Sequence, residues 1–198
     1  MPSKGENTKQ WIIEKAAPVF NTKGYAATSM NDILRATGLA KGGIYGNFAS
    51  KDELAVYAFD YNYSLLKTSL IAVIRKENKS AAKLKAILHY YKNYTINPHV
   101  PGGCPLMNTA IEADDNIPFL KGKAAAALKE MLSSLEYIVK KGIADQEFTK
   151  TLNVTKEAAF FFAIIEGGVM MSKLMDAPKY LNNNLEMLKE RIEQQYLN

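Results

Sequence analysis

The sequence predicts an all-α protein, and three observations carry that reading. Apolar residues recur at three- and four-residue spacing from end to end, no stretch alternates apolar with polar residues, and Gly, Pro and capping residues punctuate the chain at helix-boundary intervals. The expected layout is an N-terminal head of three helices containing a helix-turn-helix, residues 1–51, joined by a long fourth helix to a helical C-terminal domain, residues 52–198.

The first helix is expected from Thr8 to Lys23, with Ile12, Ile13, Ala16, Val19 and Phe20 inward and Gly24 as its stop. Pro18 falls inside it and removes one helical hydrogen bond, which predicts a kink or a displaced helix. Thr28 or Ser29 caps a short second helix that places Met30, Ile33 and Leu34 on one face and ends at Gly38. A third, Ala40 to Phe48, turns Ile44 and Phe48 inward and leaves Lys41, Gly42, Gly43, Tyr45 and Asn47 outward. Ser50 and Glu53 form a capping box for the fourth, Lys51 to Arg75, whose length suits a bridge between head and body.

After the polar break KENKS, a helix is expected from Ala81 to Ile96. Pro105 opens one running to Glu112, and Pro118 opens one running to Lys141, since proline is tolerated in a first turn. Thr155 to Met175 is apolar on nearly every side, and Tyr180 to Tyr196 repeats Leu181, Leu185, Leu188 and Ile192.

Composition narrows the function. The formal net charge is +5, and four of those charges are the surplus of Lys4, Lys9, Lys15, Lys23, Arg35, Lys41 and Lys51 over Glu6, Glu14 and Asp32 in the first 51 residues. A basic end on a nearly neutral body suits polyanion binding, although a solvated basic face has the same composition. No apolar run reaches membrane-spanning length and MPSKGENTK has no leader-like apolar stretch, so a cytoplasmic protein without membrane contact is expected. Cys104 is the single cysteine, and His89 and His99 lack spaced partners, so no metal site and no cofactor are expected.

From Ala16 to Leu54 the sequence resembles the TetR family of bacterial transcriptional repressors. The resemblance rests on Ala16, Ala17 and Phe20, on Gly24, Tyr25, Thr28 and Ser29, on Asp32 and Ile33, on Gly38, on Lys41, Gly42, Ile44 and Tyr45, on Phe48, and on SKDEL. It implies a homodimer that binds a palindromic double-stranded DNA operator, with DNA contacts from Thr28, Arg35, Thr37, Lys41, Gly42, Gly43, Tyr45, Asn47 and Lys51. Ala40 stands where many relatives have a capping Ser or Thr, and Gly46 where a His or aromatic residue is common, which thins the contact surface.

The resemblance also implies that the body holds an effector pocket and a dimerisation surface. Tyr57, Tyr61, Tyr91, Tyr94, Cys104, Met107, Phe119 and Phe162 are the candidate lining of a site for an unidentified small molecule, with ordinary core packing as the alternative. GGCPLMNTAIEADD looks like the GC-containing motif of a subfamily with electrophile-sensing members, which makes Cys104 either a sensor or a buried packing residue. Glu166, Gly167, Gly168, Met171, Leu181, Leu185, Leu188 and Ile192 are the expected dimer interface. No catalytic residue is assigned, because hydrolase, zincin, dinucleotide and phosphate-loop motifs are absent. The remaining alternatives are an enzyme using Cys104 as nucleophile and a DNA binder with an inert body.

Overall fold

The computed structural model describes residues 4–92 and 94–197. Segment 1–3, part of the stretch read for a leader, and Asn93, inside the expected fifth helix, lie outside the described residues. The described chain contains no strand, only an isolated bridge between Phe148 and Leu197. The helices are α1 Lys4–Lys23, α2 Met30–Thr37, α3 Lys41–Tyr45, α4 Lys51–Ile74, α5 Ser80–Tyr91, α6 Pro105–Ala113, α7 Pro118–Ala144, α8 Val154–Leu174 and α9 Lys179–Arg191, which continues into a π-turn over Ile192–Tyr196. The all-α expectation holds. Two helices are shorter than expected: α3 stops at Tyr45, and α5 at Tyr91. The first runs through Pro18 without a break.

The chain forms two compact units, Met1–Leu66 with His99–Ala127, and Lys67–Pro98 with Leu128–Asn198. The unit holding the head therefore takes in residues 99–127, which a division at residue 51 assigns to the body.

In the first unit Ile12, Ala16, Ile33, Ile44, Phe48, Leu54 and Ala58 form a buried core. Ser29 caps α2 reciprocally: its Oγ accepts from Asp32 N–H at 3.2 Å and its own N–H donates to Asp32 Oδ2 at 2.9 Å. Gly38 ends α2 at φ 70°, the left-handed conformation that favours glycine. At the start of α4, Glu53 N–H donates to Ser50 Oγ at 3.1 Å while its carboxylate accepts from Ala49 N–H at 2.7 Å. Segment 99–127 is tied to the end of α1. Asn21 Nδ2 donates to the carbonyls of Pro101 and Gly103 at 2.7 and 2.9 Å, and Asn108 Nδ2 donates to those of Asn21 and Gly102 at 3.1 and 3.0 Å.

In the second unit α8 and α9 pack against each other through Phe161, Ile165, Val169, Leu181, Leu185 and Leu188. Gly168 allows their close approach, since a Cβ there would lie 3.0 Å from Leu181 Cα. Ser172 Oγ accepts from Leu181 N–H at 2.8 Å, and Asn184 Nδ2 donates to the Ile164 carbonyl at 2.8 Å. Arg191 donates two bonds to the Glu157 carboxylate at 2.9 and 2.8 Å, and the Tyr196 hydroxyl adds a third at 2.6 Å. At the start of α5 the Glu147 carboxylate accepts from Ser80 and Ala81 N–H at 2.8 and 2.9 Å.

Candidate functional site

The candidate nucleic-acid face is built from α2 and α3, and the structure sorts the nine expected contacts into those free to reach outward and those engaged inside. Lys41, Gly42 and Tyr45 are exposed on α3, with Tyr45 at 43% and the Lys41 ammonium 5.7 Å from its ring centre. Ile44 and Phe48, buried behind them, anchor this short element. A side chain at Gly42 would meet nothing within 4 Å, so its missing Cβ leaves the helix backbone open to approach. Gly43 is half-buried and backs onto Leu39. Asn47 is half-buried, and one of its two amide N–H groups donates to the Gly43 carbonyl at 2.8 Å.

Two expected contacts, Thr28 and Thr37, are corrected, and a third, Lys51, also braces a turn. Thr28 is 1% exposed and its hydroxyl donates to the Gly24 carbonyl at 2.5 Å, so it closes the α1–α2 turn instead of reaching outward. Thr37 is 5% exposed and its hydroxyl returns to the Ile33 carbonyl at 2.8 Å, the back-bonding open to a threonine in a last helical turn. Lys51 donates to the Tyr25 carbonyl at 2.6 Å with its ammonium 4.2 Å from the Tyr25 ring centre. Arg35 remains exposed but is paired with Asp32, which also holds Lys23 at 2.9 Å. Lys23, followed by Ser29 and Arg35, keeps the Asp32 carboxyl far below the usual carboxylate range.

Tyr25 is the hub that motif reading leaves without a role. Its ring stacks on Phe20 at 6.3 Å and meets Phe119 edge-on at 5.6 Å, and its hydroxyl donates to Asp52. Burial, then that hydrogen bond to a carboxylate, pushes the phenol up to about 12. The N–H groups of Tyr25 and Ala26 both donate to Glu112, at 2.7 Å each. Glu112 lies in α6, far along the sequence, and no local pattern signals this contact. Trp11 was likewise missed: its indole N–H donates to the Thr37 carbonyl at 3.1 Å and Lys15 sits 4.3 Å from its ring centre.

The expected effector-lining residues fall in different units. Tyr57, Tyr61, Cys104, Met107 and Phe119 belong to the first, Tyr91, Tyr94 and Phe162 to the second. Tyr57 meets Phe48 at 5.7 Å and lies under the Lys9 ammonium at 4.1 Å. Tyr91 and Tyr94 are buried against each other at 5.0 Å. Cys104 is 0% exposed at the N-cap of α6, a placement that matches the packing alternative. A cavity of about 20 Å³ in the first unit is bounded by Phe20, Tyr25, Phe59, Asn62, Thr109 and Glu112 among others, room for about one water.

The expected dimer residues also need correction. Leu181, Leu185, Leu188 and Ile192 are buried within a single chain, because they are the face α9 turns to its own neighbours. Gly168 is likewise filled by Leu181. Glu166, Gly167 and Met171 remain partly accessible. Gly167 opens onto free space, and with Phe160, Ile164, Met171 and Leu174 it marks one outward stripe of α8 at helical spacing. Leu174 is 79% exposed and Met187 on α9 is 58% exposed. A groove of about 210 Å³ runs between Phe160, Ile164, Met187, Glu190 and Arg191.

Among the described residues no group of three His, Cys, Asp or Glu side chains is placed to hold a metal ion. Among the same residues no helix is long and apolar enough to cross a membrane.

Comparison with known proteins finds family matches in both the N-terminal and the C-terminal part of the chain. Residues 12–58 match the family described as bacterial regulatory proteins, tetR family, and residues 80–188 match the tetracyclin repressor-like C-terminal domain. A solved transcriptional regulator of the TetR family from Cytophaga hutchinsonii is 39% identical, with a TM-score of 0.93 over 100% of this chain and 99% of that one. An uncharacterized HTH-type transcriptional regulator of Lactococcus lactis subsp. lactis is 27% identical over 192 residues, 94% of each chain. A cysteine mutant of the TetR-family regulator CifR, solved with a 26-base-pair operator duplex, shares the fold at a TM-score of 0.82 and 16% identity, over 91% of this chain and 94% of that one.

Proposed function

Because this chain belongs to the TetR family of bacterial regulatory proteins and is a DNA-binding transcriptional regulator, we propose that it acts as a homodimeric repressor that leaves its palindromic operator when a small effector binds. Family regulators bind operator DNA as dimers and are not enzymes. The observation that carries the reading is the contrast on the head. Thr28 and Thr37 are buried and bonded to carbonyls of their own chain, while Lys41, Gly42 and Tyr45 are exposed on α3, with the Lys41 ammonium beside the Tyr45 ring. Lys41 supplies phosphate affinity, and Tyr45 with the Asn47 amide supplies contacts at the groove.

The proposed second copy covers Phe160, Ile164, Gly167, Met171, Leu174 and Met187. An exposed stripe at four- and three-residue spacing suits a two-fold contact of α8 and α9 with their mates. A dimer of this kind sets two recognition helices about 34–36 Å apart, one helical turn of DNA. Residues 1–51 are the DNA-binding part and 52–198 the effector-binding and dimerising part. The effector is a small hydrophobic or electrophilic molecule, and an electrophile reaches buried Cys104 only when the start of α6 moves.

The test is gel-shift and sedimentation analysis of the full chain with duplexes selected from a random pool. Expected are a dimer, salt-sensitive duplex binding, and about tenfold or greater weakening by Lys41→Ala and by Tyr45→Ala. A stable monomer with no duplex enriched at low salt overturns the reading.

A further inference from the structure

We infer that Glu112 is a positioning residue through which α6 sets the pose of the α1–α2 turn and, with it, the presentation of α3; the inference rests on the DNA-binding reading above. The geometry is a two-pronged clamp. Glu112 Oε2 accepts from Tyr25 N–H and Oε1 from Ala26 N–H, both at 2.7 Å. Two successive N–H groups point at one carboxylate because Gly24 is left-handed, at φ +82°. Gly24 is bound to this role on a second count, since a Cβ there would fall 2.9 Å from both Glu112 oxygens. A side chain at Gly24 would be strained by its left-handed backbone and would push the Glu112 carboxylate off the two N–H groups.

What the clamp holds leads directly to the DNA face. The Gly24 carbonyl accepts the Thr28 hydroxyl, and the next residue, Ser29, is the cap of α2. The Tyr25 carbonyl accepts Lys51, the first residue of α4. Between those two helices lies α3 with Lys41 and Tyr45. One turn before Glu112, α6 is pinned to the end of α1 by Asn108 and Asn21, so Glu112, in the last turn, projects from a seated helix. Displacing α6 by about 1 Å lengthens both hydrogen bonds past their useful range and frees both donors together.

The experiment uses the full chain, with Glu112→Gln, which keeps reach but replaces one acceptor with a donor, and Glu112→Ala, which removes both. Amide hydrogen exchange of Tyr25 and Ala26 is measured beside thermal unfolding and affinity for a duplex selected by the wild type. The expected result is protected amides in the wild type, and loss of protection in the order wild type, Gln, Ala. Duplex affinity falls about tenfold in Glu112→Ala, with the salt slope unchanged because no phosphate contact is removed. A purely structural role gives lower melting temperature with the affinity of the folded fraction unaltered, and that overturns the inference. So does rapid exchange at Tyr25 and Ala26 in the wild type, a measurement that needs no variant to fold. If the pool yields no duplex, the DNA-binding reading fails on its own, and the exchange arm still decides whether the clamp exists.

Discussion

The Lys51 ammonium lies 2.6 Å from the Tyr25 carbonyl and 4.2 Å from the centre of the Tyr25 ring. A lysine in this position of the motif reads as a phosphate anchor, and here its ammonium also braces the α1–α2 turn. Lys51→Met is therefore expected to lower stability by about 1–2 kcal/mol. The salt slope of duplex binding should fall by less than for Lys41, whose ammonium has no backbone carbonyl bond of this kind among the described contacts. Lys41→Ala is expected to do the reverse, leaving stability nearly intact and reducing the salt slope by about 0.9 per protomer. Affinity measured across a salt series, with chemical denaturation of each variant, checks both.

Neighbouring glycines on α8 have opposite surroundings. At Gly168 a Cβ would press on Leu181, so Gly168→Ala is expected to cost about 1–3 kcal/mol by prising α8 from α9. At Gly167 a Cβ meets nothing within 4 Å of the single chain, so Gly167→Ala should stabilise the isolated fold by about 0.5–1 kcal/mol. If the outward stripe is the dimer contact, the same alanine weakens association. Denaturation and sedimentation equilibrium together separate these effects.

Glu157 gives the second unit a defined acid response. The Arg191 hydrogen bonds hold its carboxyl below the ordinary value of 4.5, with burial opposing and the Tyr196 hydroxyl assisting. A folded pKa below the unfolded one means that the unfolded chain takes up the proton first as pH falls. The stabilisation is complete above about 4.5 and is lost as pH drops through the lower folded value. Arg191→Ala should cost about 1–3 kcal/mol at neutral pH and flatten the dependence of stability on pH below that point. Urea midpoints collected from pH 7 to about 3 are the measurement.

Cys104 has no exposed surface. Its alkylation by a small maleimide is expected to be slow in the native protein and to accelerate in step with unfolding by denaturant. Rapid labelling under native conditions would instead show that the start of α6 opens locally, the behaviour the sensing role requires. Mass spectrometry after timed quenching distinguishes the two.

The helices were legible because their signals are local. Ser29 and Gly38 bracket α2, and Pro105 and Pro118 open α6 and α7, each by chemistry confined to one turn. Side-chain allegiance was harder to read. Thr28 and Thr37 have the composition of DNA contacts, but a threonine near a helix end bonds a backbone carbonyl equally well, and the choice depends on which side faces the core. The Leu181, Leu185, Leu188 and Ile192 stripe declared that one face of α9 is covered; it could not declare that α8 of the same chain covers much of it. Glu112 was beyond local reading altogether, because its partners Tyr25 and Ala26 come from the opposite end of the first unit.

The chain has a single tryptophan, and its indole N–H is bonded to the last residue of α2 while its ring remains partly exposed. Tryptophan emission, excited at the red edge where the tyrosines do not absorb, therefore originates at one place, where α1 meets the segment that leads into α3. The colour and polarisation of that light report the local wetting and motion of this joint without contributions from other indoles. A titration with DNA or with a candidate effector can be followed optically on the native sequence, with Trp11→Phe as the dark control.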